Sequence, residues 1–145
     1  MKIIAAPALS TASEGENTLN CLVLDNTLDP RSVSLDGVTR IDLNFPKFTD
    51  GRAYSQAFLL RRRLGFSGEI RATGDVLIDQ LVQMERTGFD VAVLREDQHL
   101  EFAQAQFDRF KGFYQGDAVT VKPAFARVDF SALERDTTAH QGAAA

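Results

Sequence analysis

Two adjacent stretches, YSQAFLLRRRLGFSGEIRATGD (Tyr54–Asp75) and LIDQLVQMERTGFDVAVLRED (Leu77–Asp97), repeat one grammar and decide the fold. Each opens on a helical apolar period, passes through a Gly-Phe pair, and closes in a strand-like run that ends near an aspartate. Gln56 and Gln80 hold equivalent places, and a third Gly-Phe at 112–113 continues the series after spacings of 23 and 24 residues. Strand alternating with helix at this period is the mark of stacked βα units and a parallel sheet.

Working outward, β-branched or alternating runs predict five strands, at 19–24, 40–45, 68–73, 90–95 and 117–122. Three helical faces lie between the last four: Ala53, Ala57, Leu60 and Leu64; then Leu77, Ile78, Leu81 and Met84; then Leu100, Ala103, Phe107, Phe110 and Tyr114. Asp50, Asp75 and Asp97 precede these helices as N-cap candidates, and Gly65 and Gly88 suit a left-handed stop.

The strands alternate. Ile41, Leu43 and Phe45 interleave with Arg40, Asp42 and Asn44, and Ile70 and Ala72 with Glu69, Arg71 and Thr73. One face wants helices and the other does not, because a sheet covered on both faces reads apolar throughout. The expected fold class is therefore α/β, a parallel sheet of consecutive βα units with helices mainly on one face, half-barrel-like. A complete eight-unit barrel takes about 200 residues or more, and the open edges of half of one favour a partner, most simply a second copy in a homodimer.

With 145 residues the chain is sized for one domain. The expected division is a flexible segment at 1–18, a single α/β domain at 19–130 and a flexible tail at 131–145. Apolar residues at 44% and charged residues at 25% are ordinary globular values. A net charge of −4 with a pI near 5.1 argues against nucleic acid, which requires basic surface. No apolar run approaches the length that spans a bilayer, so no membrane partner and a cytoplasmic location are expected. One cysteine, Cys21, and two histidines, His99 and His140, cannot assemble a thiolate or histidine metal cluster, so no metal and no cofactor are expected. Dinucleotide, phosphate-loop and nucleophile-elbow motifs are absent.

The loop NFPKFTDGRAYS (Asn44–Ser55) falls at the C-terminal end of a predicted parallel strand, where α/β proteins build their sites. Lys47 and Arg52 from this loop, with Arg71 from the end of the next strand, form a candidate pocket for a small oxyanion. Asp50 and Asp75 are candidate acid–base groups, with helix capping as the competing reading. Arg71 is equally readable as a structural partner of Glu69 or Asp42. Arg61-Arg62-Arg63 reads as the solvated side of a helix, and Cys21 as a buried small apolar residue.

The stretch FPKFTDGRAYSQAFLLRRRLGFSGEIRATGDVLIDQLVQMERTGFD (Phe45–Asp90) closely resembles the bacterial family called domain of unknown function 934. Phe-Pro-Lys-Phe-x-Asp-Gly-Arg, Tyr-Ser, Gly-Glu-x-Arg-Ala-x-Gly-Asp-Val, Asp-Gln and Gly-Phe-Asp all stand in place. The chain departs from the family at Asn44, where glutamate is usual, and at Val82-Gln83, where aromatics are common. Members often carry the label of an oxidoreductase involved in sulfite reduction. The resemblance implies an accessory protein or oxidoreductase component of assimilatory sulfite reduction, with sulfite-reductase machinery as partner. Asp79 and Gln80 are motif positions, expected to orient the arginines of the pocket. A cofactor-independent small-molecule enzyme and a purely structural dimeric scaffold are the alternatives.

Overall fold

The computed structural model describes residues 1–5, 20–109 and 112–127. Five strands form one parallel sheet: β1 (Lys2–Ala5), β2 (Cys21–Leu24), β3 (Arg40–Phe45), β4 (Glu69–Gly74) and β5 (Val91–Leu94). Their order across the sheet is β1-β5-β4-β3-β2. From β2 to β5 each new strand is laid beside the last on the same side. Three helices follow in chain order: α1 (Arg52–Arg62), α2 (Leu81–Thr87), led in by a 3₁₀ turn at Ile78–Gln80, and α3 (Leu100–Arg109).

Strand alternation becomes a layer structure. Leu24, Ile41, Leu43, Phe45, Ile70, Ala72, Ala92 and Leu94 face one way and form a single core with Ala53, Ala57 and Leu60 of α1, Leu81 and Met84 of α2, and Ala103 of α3. Each of the larger side chains contributes on the order of 1.5–3 kcal/mol by leaving water. All three helices therefore lie on one face. Parallel strands joined by right-handed crossovers give this result when the sheet grows in one direction.

Two strand expectations are corrected. The run 117–122 is a turn: Asp117 N–H donates to Thr120 O at 2.8 Å, and the Asp117 carboxylate accepts the amides of Val119 and Thr120 at 3.0 and 2.6 Å. The place beside β5 is taken instead by Lys2–Ala5, which lies inside the segment expected to be flexible and pairs from Lys2 with Val91 to Ala5 with Leu94. The apolar stripe of the third helix is shorter than expected, with Ala103 buried, Leu100 exposed, and Tyr114 exposed beyond the helix end; Phe110 lies outside the described residues.

Arg61 is the main exception to the reading of its helix face as solvated. Its Nε donates to Gly88 O at 2.8 Å, its Nη1 to Phe66 O and Gly68 O at 2.7 and 2.8 Å, and its Nη2 to Asp90. The Asp90 carboxylate also accepts the Ile70 amide at 2.8 Å. One arginine thus ties the end of α1 to the entries of β4 and β5. Gly88 ends α2 in the left-handed region at φ 106°, and a side chain there would meet Arg61 Cγ at 2.4 Å. Arg62 and Arg63 remain exposed.

Candidate functional site

The C-terminal ends of the strands are joined by a hydrogen-bonded rim. Asn26, just after β2 and 6% exposed, donates from Nδ2 to Asp50 Oδ2 at 2.8 Å. Asp50 sits in the β3–α1 loop and also accepts from Arg52: Nε at 3.0 Å, Nη2 at 2.6 Å and the backbone amide at 3.2 Å. Gln56 of α1, buried, donates to the carbonyls of Asp25 and Leu28, both at 2.8 Å, and fixes the loop after β2.

Asp75 makes the second junction. It follows Gly74, which closes β4 at φ 90° with its backbone so near Phe45 O that a Cβ would lie 2.4 Å from it. From there the Asp75 carboxylate accepts the Phe48 amide at 2.8 Å and Arg95 Nη1 at 2.5 Å. Arg95, after β5, forks onto Asp97 through Nε and Nη2, both at 2.6 Å. Gln80 donates to Phe48 O at 2.8 Å, so both backbone polar groups of Phe48 are held by side chains from the next βα unit. The Phe48 ring itself is 50% exposed.

These bonds fix the charge states. Arg52 holds the Asp50 carboxyl far below the usual carboxylate range, first through its side chain and then through its amide. The Phe48 amide, followed by Arg95, lowers that of Asp75, and Arg95 pulls Asp97 down to about 2. A carboxylate stabilised by several donors is a weak base. Two of the expected caps differ from expectation: the N-cap of α1 is Gly51, with Asp50 one residue before it accepting the amide of Arg52, and Asp75 serves the preceding loop.

The expected oxyanion residues are divided by the fold. Lys47, in the β3–α1 loop, and Arg52, the first residue of α1, both stand at the rim. Lys47 is exposed and its side chain makes no hydrogen bond or ion pair with the described residues, whereas Arg52 is forked onto Asp50. Arg71 is the third residue of six-residue β4, on the face away from the helices, and its Nε and Nη2 turn back to Glu69 Oε1 at 3.0 and 2.7 Å. It is 5% exposed. This is the structural pairing with Glu69, in mid-strand rather than at the strand end. Asp79 and Gln80 touch neither arginine: Gln80 holds Phe48, and Asp79 is exposed, its charge adding to the burial that pushes the Tyr54 hydroxyl up to about 12.

On that same second face Arg40 Nε lies 3.1 Å from Asp42 Oδ1 and donates to Cys21 Sγ at 3.2 Å. Burial raises the Asp42 carboxyl, against the opposing pull of Arg40 and Arg71. Cys21 is half-buried and accepts a charged donor, so it is not the plain apolar filler expected of it. Among the described residues no three His, Cys, Asp or Glu side chains gather to hold a metal ion. No described helix is long and apolar enough to cross a membrane.

Sequence reading alone misses Asn26 and Arg95. Each reaches its carboxylate from another βα unit, 24 and 20 residues away, and no local spacing announces such a contact. An Asp-x-Arg or Arg-x-Asp pair recurs at 29–31, 40–42, 50–52 and 95–97, and this spacing is the local signal that these aspartates bind arginine.

A parallel sheet with its described α-helices on one face and a polar, hydrogen-bonded rim at its strand ends defines an α/β protein built of consecutive βα units. The family model described as "Bacterial protein of unknown function (DUF934)" matches residues 21–125, and the chain belongs to that family. No curated protein and no solved structure matches it.

Proposed function

We propose that the protein is a non-catalytic accessory component of assimilatory sulfite reduction, working in the cytoplasm beside the sulfite-reducing machinery. The pathway is the one implied by its resemblance to the family. The non-catalytic part is supported by one observation above the rest: the two rim carboxylates best placed for proton transfer, Asp50 and Asp75, each accept several hydrogen bonds and hold loops together. A general base works best near the operating pH, and both groups lie on the far acidic side of it.

In this reading the rim is a rigid platform, and its small-oxyanion site rests on Lys47, with Arg52 as a neighbour already half neutralised by Asp50. A half-barrel curvature and a homodimer complete the proposal. Val23, 66% exposed on edge strand β2, favours an added copy at that edge.

Affinity purification of the tagged chain from bacteria growing on sulfate as sole sulfur source is the test. Co-purification of sulfite-reductase subunits, together with no sulfite turnover by the purified chain, is the expected result. Sulfite turnover by the chain alone would overturn the accessory reading.

A further inference from the structure

The face of α1 turned from the core carries an arrangement that the fold does not use. Ser55, Phe58 and Leu59 of α1 and Gln83 and Thr87 of α2, with Tyr54 at one end, line an open groove of about 470 Å³ between the two helices. Its walls are mainly apolar, and Phe58 is 42% exposed.

At the C-terminal end of α1 the groove is bordered by positive charge. Arg62 follows Ser55 and Phe58 at i+7 and i+4, which places it on the groove side of α1, and Arg63 stands next to it; both are exposed and engage no acid among the described residues. α1 contains no acidic residue. The charges of α2 point elsewhere, Glu85 to the amino group of Met1 at 2.9 Å and Arg86 to Asp117 at 3.2 Å. Asp79, beside Tyr54, is the acid at the upper end. On a chain of net charge −4, an apolar groove bordered at one end by Arg62 and Arg63 is a local reversal of sign.

We propose that this α1–α2 groove is a docking site for an acidic amphipathic helix of a partner protein. The helix would lay an i, i+3/i+4, i+7 apolar stripe against Phe58 and Leu59 and set flanking carboxylates against Arg62 and Arg63. Helix-in-groove recognition needs these two elements, an apolar floor and complementary charge at its borders. The groove lies on the helical face and is independent of the rim site and of any role in sulfite reduction.

The test is selection of a displayed library of random 16-residue peptides on the immobilised full chain, on Phe58→Ser and on Arg62→Glu/Arg63→Glu. The substituted side chains are exposed, and circular dichroism melts confirm that each variant folds. Expected are peptides with helical apolar spacing flanked by Asp and Glu, whose affinity falls at least tenfold on Phe58→Ser and weakens with salt. The Arg62→Glu/Arg63→Glu chain should instead select Lys and Arg flanks. Selection without charge bias, or no selection dependent on Phe58, overturns the proposal. So does self-association in sedimentation velocity that Phe58→Ser abolishes, since a second copy would then be the occupant.

Discussion

The Asp75 carboxylate reaches across from the end of β4 to accept the backbone amide of Phe48, in the loop after β3, at 2.8 Å. With Arg95 on its other oxygen at 2.5 Å, it joins three successive βα units. Asp75→Asn keeps the size but loses the charge and one of the two acceptor oxygens that the Phe48 amide and Arg95 use. A lower melting temperature and faster hydrogen exchange at the Phe48 amide are expected, with the exchange of core amides in β3 changed only through global stability.

The same rim sets the acid limit of the fold. Asp50, Asp75 and Asp97 have folded-state pKa values below the ordinary carboxylate value of about 3.9, so their contribution is present above that pH and is lost as pH falls through the folded values. Stability should decline from about pH 4 downward, through the region near 2 where Asp97 titrates. Asp42, raised by burial, acts in the opposite sense, its protonation relieving a buried charge. Urea midpoints between pH 7 and pH 2 check the slope, and the Asp50→Asn/Asp75→Asn double variant should flatten it.

Arg61 and Arg62 are neighbours of one residue type with opposite fates. Arg61→Ala leaves the Phe66, Gly68 and Gly88 carbonyls without their side-chain donor and strips Asp90 of its cation. A loss of about 3 kcal/mol or more is expected, at about 1–3 kcal/mol per buried group left unsatisfied. Arg62→Ala, on the exposed side, should stay within about 0.5 kcal/mol. Chemical denaturation of both variants distinguishes them.

Gly74→Ala combines a left-handed backbone at φ 90° with a Cβ placed 2.4 Å from Phe45 O. Strain of this kind costs on the order of 1–3 kcal/mol before any clash is counted. The variant should melt lower than Asp75→Asn, because the contact it displaces is between strand backbones.

The βα repeat, the four consecutive strands and the three helices were legible because a period of two or of 3.6 in apolar residues is a local property. Ile41, Leu43 and Phe45 declare their face from the sequence alone, and all three are 0% exposed. The edge strands were not legible in that way. Val119-Thr120-Val121 alternates as well as any strand, yet Lys2–Ala5, a four-residue run, takes the place beside β5, and only pairing in three dimensions chooses between them. The rim was half legible. Its residues were picked out as a charged loop, but Asp50, Asp75 and Gln80 proved to be its fastenings. Arg71, placed by the sequence at a strand end, lies in mid-strand and donates to Glu69. Charge partners separated by a whole βα unit leave no periodic trace.

Sulfite titration by calorimetry on Lys47→Ala and on Arg71→Ala, each paired with a thermal melt, tests the division between a rim cation left for a ligand and a buried cation left for the fold. Lys47→Ala should lose sulfite binding with an unchanged melting temperature, and Arg71→Ala should melt lower while still binding sulfite. Loss of binding in Arg71→Ala at an unchanged melting temperature, with Lys47→Ala binding normally, would contradict it.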